Sequence, residues 1–420
     1  MANHMNAAKH RASGKSVLGG AMIIAGTTVG AGMFSLPVVS AGMWFGYSLA
    51  MLLGVWFCML MSGLLLLEAN LHFEPGDSFD TLTRVTLGQF WRVINGVSIA
   101  FVLYILTYAY ISGGGSIVNH SLSALGVSLP QSVAGLVFAI VLALVVFIST
   151  KAVDRITTIM LGGMMITFFL AIGNLLIDID TVKLASPDGE SRYLPYLLAA
   201  IPFGLASFGY HGNVPSLVKY YGKDANTIVK AIVTGTSIAL VIYVCWLVAT
   251  MGNIQRSQFA DIIAQGGNIG VLVAALSGVI ASQWLDNMLT LFANLAVASS
   301  FLGVTLGLFD YLADLFNFDD SRTGRIKTAA VTFIPPTILG LLFPNGFILA
   351  IGFAALAATI WAVIVPALLA YKVRQQYPNA DGFKVPGGTP LIVLVVLFGM
   401  ITATCHLLAM ADILPVFKQS

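Results

Sequence analysis

Long runs without a charged residue alternate with short polar segments along the whole chain. A helix needs about 20 apolar residues to cross the ~30 Å hydrocarbon layer of a bilayer, so each run can be counted in membrane spans. Three runs of 44–58 residues are long enough for two helices each, and five runs of 22–27 residues are long enough for one. The pattern therefore predicts eleven transmembrane helices. The long runs are Ser16–Leu67, Val93–Thr150 and Thr328–Tyr371, and the short ones are Ile156–Ile177, Tyr193–Val218, Ala231–Gln255, Asn287–Phe309 and Val385–Ala411.

One further charge-free stretch, Ile262–Leu285, differs from these runs. Gln, two Gly and Asn follow each other near its start, at 265–268, and leave only a short apolar core. A core of that length is too short for a span. The stretch is therefore predicted to form a helix in an external loop and not a twelfth span.

The composition agrees with a chain embedded in a lipid bilayer. Hydrophobic residues make up 58% of the 420 residues, charged residues make up 9%, and the mean hydropathy is +0.91. Soluble domains carry about 25% Asp, Glu, Lys and Arg, so a soluble enzyme and a nucleic-acid-binding protein are both excluded. The three cysteines lie inside apolar runs and indicate no disulfide framework. No metal or cofactor is predicted.

Basic residues are concentrated on one side of the predicted bundle. If the N-terminus is cytoplasmic and the spans alternate, sixteen of the twenty Lys and Arg residues fall on the cytoplasmic side. Because cytoplasmic loops are enriched in Lys and Arg, the N-terminus is predicted to lie inside and the C-terminus outside. The first internal group is Lys9, Arg11 and Lys15, and the four external residues are Lys183, Arg192, Arg256 and Lys418.

Two of the predicted spans, the first and the sixth, carry glycine clusters near their centres. Residues 26–37 read GTTVGAGMFSLP, and residues 206–215 read ASFGYHGNVP. Small residues can serve close packing between helices, but these two segments occupy corresponding positions in two five-helix halves. Matched spans interrupted by Gly and Pro are typical of transporters whose binding site is formed by discontinuous helices. The pattern therefore favours a transporter.

Such a pair of breaks has the chemistry to bind a zwitterion. The backbone N–H groups at Gly30, Ala31 and Gly32 can donate to a carboxylate, because no large side chain prevents its approach. Carbonyl groups freed around Thr28 and at 207–209 can accept hydrogen bonds from an ammonium group. An α-amino acid is the predicted ligand.

Four segments of the chain resemble the bacterial hydroxy/aromatic amino acid permeases. They are residues 26–37, 105–112, 207–216 and 297–312. The resemblance covers nearly the whole chain, and it is strongest to the tryptophan-specific members of that family. It implies a multi-pass protein of the bacterial inner membrane, with a periplasmic C-terminus. Such a protein is a secondary active importer that works by alternating access, and not an enzyme.

The resemblance also implies the LeuT-type fold of the amino acid–polyamine–cation superfamily. This fold is an all-α integral membrane protein in which a 5+5 inverted repeat, with discontinuous helices 1 and 6, is followed here by one extra helix. The implied divisions are a cytoplasmic tail at 1–15, repeats at 16–178 and 191–371, and an eleventh helix at 385–412.

The resemblance favours tryptophan as the substrate, with a tyrosine, phenylalanine or broader aromatic symporter as the alternative. Phe208 and Tyr210 in the second break, and Tyr104 and Tyr108 on the third span, offer rings against which an aromatic side chain can pack. An indole N–H also needs one acceptor, which an asparagine, a serine or a backbone carbonyl near the breaks can supply. The predicted substrate-binding residues are Thr27, Thr28, Gly30, Ala31, Gly32, Tyr104, Tyr108, Ser207, Phe208, Gly209, Tyr210, His211, Asn213 and Asn294.

The predicted coupling ion is a proton, with Na⁺ as the alternative. His211 is an ionisable residue inside the second break and is the candidate proton carrier. Ser299 and Ser300 on the eighth span match the two hydroxyls that bind Na⁺ in sodium-driven proteins of this fold. Proton-driven relatives often carry a lysine in the fifth span where this chain has Met164. That departure weakens the case for lysine-mediated coupling and favours Na⁺ or a different proton carrier such as His211, although the resemblance still favours protons.

Overall fold

The computed structural model describes residues 16–177, 179–185, 193–378 and 382–418. Within these ranges the protein is built from α-helices and contains no β-strand, which confirms the all-α prediction. The predicted tail at 1–15, with its three basic residues, and Arg192 lie outside the described residues.

Eighteen α-helices, labelled α1 to α18, lie in the described part of the chain. The first eight are α1 (Val17–Thr28), α2 (Ser35–Ser40), α3 (Trp44–Asn70), α4 (Phe79–Leu87), α5 (Gln89–Ala124), α6 (Gln131–Ile148), α7 (Thr150–Ile177) and α8 (Thr181–Ala185). The others are α9 (Leu197–Ser207), α10 (Val214–Tyr221), α11 (Ala225–Met251), α12 (Arg256–Ala264), α13 (Ile269–Ser277), α14 (Gln283–Leu315), α15 (Arg322–Leu342), α16 (Phe347–Thr359), α17 (Val365–Gln376) and α18 (Gly388–Met410). Three 3₁₀ turns, Ala31–Phe34, Leu194–Tyr196 and His211–Asn213, and a π-helical turn, Ile360–Ile364, complete the helical structure.

Eight helical segments of the described chain are long and apolar enough to cross a membrane. They are α3, α5, α6, α7, α11, α14, the continuous stretch Phe347–Gln376 and α18. The bent pair formed by Val17–Thr28 and Ala31–Ser40 makes a ninth if it counts as one span. The two other predicted spans correspond to α9 with α10, which are 11 and 8 residues long, and to α15, which starts with basic residues. The count of eleven therefore stays a prediction.

The stretch Ile262–Leu285, for which the sequence predicts a loop helix, contains one short helix, α13, between the end of α12 and the start of α14. Helices α12 and α13 have nine residues each, which is less than half of a span, and a loop helix in place of a twelfth span stays a prediction. The helices are separated because Gly266 and Gly267 adopt positive φ angles of 94° and 62°, a conformation that glycine tolerates best.

Several helices that begin at the ends of the bundle are capped by a polar side chain. Ser16, Ser78 and Ser321 accept a backbone N–H of α1, α4 and α15, at 3.2, 3.2 and 3.1 Å. Asp224 does the same for α11, and its carboxylate also accepts the hydroxyl of Thr227 at 2.6 Å. These hydrogen bonds lower the pKa of the Asp224 carboxyl. Caps of this kind satisfy amide groups that have no partner within the helix.

Close backbone contact joins α5 to α6. A Cβ atom added to Gly115 would lie 2.8 Å from the Cα atom of Gly135 and 2.9 Å from the Gln131 carbonyl oxygen. No side chain fits between the two backbones there. Seams of small residues are a common way to pack helices tightly in a membrane, where burial of apolar surface against lipid gives no driving force.

A buried ion pair joins the ends of α3 and α17. The Arg374 guanidinium donates two hydrogen bonds to the Glu68 carboxylate, at 2.7 and 2.8 Å, and Glu68 is 1% exposed. The N–H of Val385 donates to the same carboxylate at 2.7 Å, and its carbonyl accepts from Arg374 at 3.1 Å. The pair therefore also fastens the segment that leads into α18, and its hydrogen bonds offset the cost of burying the charges.

Candidate functional site

The first helix break lies at the glycine cluster that the sequence indicates. Helix α1 ends at Thr28, the backbone at Gly30 is extended, and the chain continues through a 3₁₀ turn into α2. The segment Ala31–Ser40 lies at an angle of 50° to α1. The N–H of Ala31 donates to the Ser300 hydroxyl oxygen at 3.0 Å. A Cβ atom on Gly30 would lie 2.5 Å from that oxygen, whereas a Cβ atom on Gly32 would have no atom within 4 Å. Of these three residues, Gly32 has the most open space beside it.

The second break separates α9 from α10. Helix α9 ends at Ser207, a 3₁₀ turn covers His211–Asn213, and α10 starts at Val214, followed by Pro215. Proline at the start of a helix is favourable because the N–H that it lacks would have no partner in the helix. Phe208 and Tyr210 between the two helices are fully buried.

The two breaks are in direct contact. The Asn213 side-chain amide donates to the Thr27 hydroxyl oxygen at 2.6 Å. The Tyr243 hydroxyl, on α11, lies 2.6 Å from the carbonyl oxygens of both Thr28 and Ser207. The structure therefore brings together four of the predicted residues, Thr27 and Thr28 from the first break and Ser207 and Asn213 from the second.

Tyr243 was not among the residues predicted from the sequence. It stands in the middle of an apolar span, and its ring packs edge-on against Phe208 with 5.3 Å between ring centroids. A single tyrosine in such a span gives only a weak signal, because most aromatic residues in membrane helices serve packing. Its position opposite two broken helices appears only in the folded chain.

His211 lies in a buried aromatic environment. Its ring stacks on Tyr210 at 4.6 Å between centroids and meets the Trp361 ring edge-on at 6.2 Å. Neither imidazole nitrogen makes a hydrogen bond of ordinary length and angle in the described part of the chain, although the Met59 backbone lies close enough to interact with the ring, and the Trp361 indole nitrogen makes none either. Trp361 belongs to the π-helical turn after α16, and such turns occur often at functional sites.

Tyr210 is held by a close contact with α3. Its hydroxyl donates to the Met59 carbonyl oxygen at 3.2 Å. A Cβ atom on Gly63, one turn further along α3, would overlap that hydroxyl. Glycine at 63 is thus required for the position of the Tyr210 ring.

The two serines of the predicted ion site have different partners. Ser300 accepts from Ala31, as described, whereas Ser299 donates to the Ala296 carbonyl oxygen of its own helix at 3.2 Å. Met164 on α7, which stands where proton-driven relatives often carry a lysine, is buried with 1% of its surface exposed.

Three of the residues predicted to bind substrate form hydrogen bonds with groups outside the two helix breaks. The Tyr104 hydroxyl donates to the Val331 carbonyl oxygen at 2.9 Å, and the Tyr108 hydroxyl donates to the Phe343 carbonyl oxygen at 2.8 Å. The Asn294 amide donates to the Ser121 hydroxyl at 2.9 Å. These side chains fasten α5 and α14 to their neighbours.

An aromatic cluster lies beyond the first break, on the side of α2, and was also not predicted. Phe34 packs against Trp246 and Phe292 at centroid distances of 5.3 and 5.5 Å, and Phe168 packs against Phe292 at 5.3 Å. The Trp246 indole N–H donates to the Met33 carbonyl oxygen at 3.0 Å. All four rings are buried, whereas Thr27 and Gly212 on the other side of the breaks are exposed.

Comparison of the sequence with known proteins shows which family the chain belongs to. The tryptophan/tyrosine permease family matches residues 13–406 of the chain. A tryptophan-specific transport protein of Pseudomonas aeruginosa (strain UCBPP-PA14) is 61% identical over 405 residues, which are 96% of this chain and 97% of that protein. A protein of the same description from Shigella flexneri is 58% identical over 96% of this chain and 97% of its own length. A tyrosine permease of Enterobacter agglomerans is 43% identical over 96% of this chain and 98% of its own length.

Proposed function

The chain belongs to the tryptophan/tyrosine permease family, and from this premise we propose that it is a secondary active importer of L-tryptophan. Its relatives are transport proteins and permeases, so the chain is a membrane transport protein and not an enzyme. Tryptophan is supported by 61% and 58% identity to two tryptophan-specific transport proteins, against 43% to a tyrosine permease. The tyrosine permease keeps a tyrosine, phenylalanine or broader aromatic symporter as the second candidate.

The proposed topology has eleven spans in a bacterial inner membrane. In it, α9 with α10 forms the sixth span, α15 forms the ninth, and α18 is the span added after two inverted repeats of five. The N-terminus is cytoplasmic and the C-terminus periplasmic. The matched breaks and the one-sided distribution of basic residues support this arrangement.

The contact between the two breaks is the observation that carries the substrate site. The backbone at Gly30–Gly32 binds the substrate carboxylate, with Gly32 providing the open space, and carbonyl groups at the ends of α1 and α9 accept from the ammonium group. The indole ring packs beside Phe208 and Tyr210. A rocking motion of the helices that carry the breaks then exposes the site to each side in turn.

Replacement of Gly32 by leucine tests this site. Gly32→Leu fills the open space and should abolish tryptophan uptake while the protein remains folded in the membrane. Gly19→Leu is the matched control, because Gly19 also lies on the first span and a Cβ atom there meets no atom within 4 Å. Tryptophan uptake with an unchanged KM in Gly32→Leu would refute the proposed site.

We propose that protons drive the import and that His211 carries the proton. His211 is a fully buried ionisable residue inside the second break, and its imidazole can take up a proton when the site opens to water. For the Na⁺ alternative, the missing fifth-span lysine at Met164 is the supporting observation, and the Ser300 oxygen accepts the Ala31 N–H at 3.0 Å.

Proteoliposomes with imposed ion gradients separate the two ions. A proton gradient alone should drive tryptophan accumulation, and a Na⁺ gradient alone should not. His211→Ala should still bind tryptophan but lose the accumulation that the proton gradient drives. Accumulation that requires Na⁺ would contradict proton coupling and would support the Ser299 and Ser300 site.

A further inference from the structure

The Tyr243 side chain contacts both broken spans. It lies on α11, which runs unbroken for 27 residues, and it is 0% exposed. Its hydroxyl oxygen is 2.6 Å from the carbonyl oxygen of Thr28, the last residue of α1, and 2.6 Å from that of Ser207, the last residue of α9.

These two carbonyl groups need a donor. The last carbonyl groups of a helix have no partner within that helix, and they carry the negative end of its dipole. A phenol has one proton to donate. One proton is therefore shared between two helix ends that belong to different spans and that together border the proposed substrate site.

We propose that Tyr243 is a positioning residue that fixes the ends of α1 and α9 relative to each other. This inference rests on the proposed function, because the geometry that it controls is that of the substrate site. The hydroxyl acts through the two carbonyl groups and not by touching the substrate. Without it the carbonyl ends separate, and the backbone groups that bind the amino acid no longer converge.

Tyr243→Phe removes the hydroxyl and leaves the ring against Phe208. The dissociation constant of purified, folded transporter for radiolabelled tryptophan should rise about ten-fold, which is the effect expected from losing one to two hydrogen bonds at a binding site. The KM for uptake should rise with it. A role in stability alone would lower the amount of folded protein and leave the dissociation constant of the folded fraction unchanged.

Tyr311→Phe is the matched control. It also loses a phenol that donates to a backbone carbonyl, that of Gly96 at 3.3 Å, but at a contact between α14 and α5 away from the breaks. Its dissociation constant should equal that of the wild type. An equal rise in both variants would overturn the inference, as would an unchanged value in Tyr243→Phe.

A second substitution restores the donor. 4-Aminophenylalanine incorporated at position 243 carries two N–H groups, one for each carbonyl group, and should give the affinity of the wild type. This variant also provides a result if Tyr243→Phe does not fold, since a ten-fold weaker affinity with the donor present would contradict the inference. Failure of the wild-type protein to take up tryptophan would instead refute the proposed function.

Discussion

Gly63 leaves room for the Tyr210 ring because glycine has no Cβ atom. A methyl group at this position would overlap the Tyr210 hydroxyl, so Gly63→Ala has to displace the ring or its bond to Met59. Overpacking of this kind typically costs about 1–3 kcal/mol. We expect tryptophan affinity to fall about ten-fold, measured as binding to the purified protein.

Gly54→Ala is the control for this substitution. Gly54 lies on the same helix, α3, and a Cβ atom there would meet no atom within 4 Å. Its affinity for tryptophan should match that of the wild type. An unchanged affinity in Gly63→Ala would show that the Tyr210 ring is not part of the binding site.

Single residues of the site differ in how far the sequence could identify them. The position of Phe208, Tyr210 and His211 between two helices could be predicted, because a glycine-rich segment in an apolar span indicates irregular backbone. Asn294 lies on a regular helix, and there the sequence does not tell which face a side chain occupies. Tyr243 owes its importance to two carbonyl groups that lie 215 and 36 residues away in the chain. Distances of that size cannot be derived from local patterns.

At the scale of elements, the seam between α5 and α6 gives a prediction about stability. Gly115→Val would place atoms against the backbone of Gly135, which cannot move aside as a flexible side chain could. We expect a loss of about 1–3 kcal/mol in the stability of the folded protein, seen as a lower melting temperature in detergent.

Gly162→Ala on α7 is the matched control, because a Cβ atom at Gly162 would meet no atom within 4 Å. Its melting temperature should stay close to that of the wild type. Equal destabilisation of both variants would mean that the close seam between α5 and α6 is not the cause of the effect.

The sequence predicted most elements because a membrane imposes simple requirements on them. Charge-free runs correspond to the long helices, since a span must be apolar over about 20 residues. Turns that depend on the backbone conformation of single residues were harder to predict from the sequence. The turn between α12 and α13 was not predicted, because the close fit of Gly266 and Gly267, where an added Cβ atom would lie 3.0 Å from Asn345 and Ile348, joins parts of the chain that are far apart in sequence.

At the scale of the whole molecule, the Glu68–Arg374 pair connects distant parts of the chain. Glu68→Ala leaves the half-buried Arg374 and the Val385 N–H without their shared acceptor, and should cost about 3 kcal/mol of stability. The double variant Glu68→Ala with Arg374→Ala should cost less than the sum of the two single variants. Melting temperatures of the three purified variants measure this coupling.

Asp412→Ala is the control for the ion pair. It breaks the pair between Asp412 and Lys418, whose side chains are 77% and 64% exposed. Exposed pairs contribute about 0–1 kcal/mol, so its melting temperature should barely change. Additive effects of the two single variants at positions 68 and 374 would contradict a direct coupling.

The buried pair also has a consequence for how the protein is made. Glu68 and Arg374 are 306 residues apart in the chain. At about 5–20 residues per second, a ribosome needs roughly 15–60 s to synthesise the chain between them. During that time Glu68 lacks the Arg374 and Val385 groups that bind it in the folded protein. The contact at the end of α3 therefore forms only after α17 and the segment that leads into α18 have been synthesised.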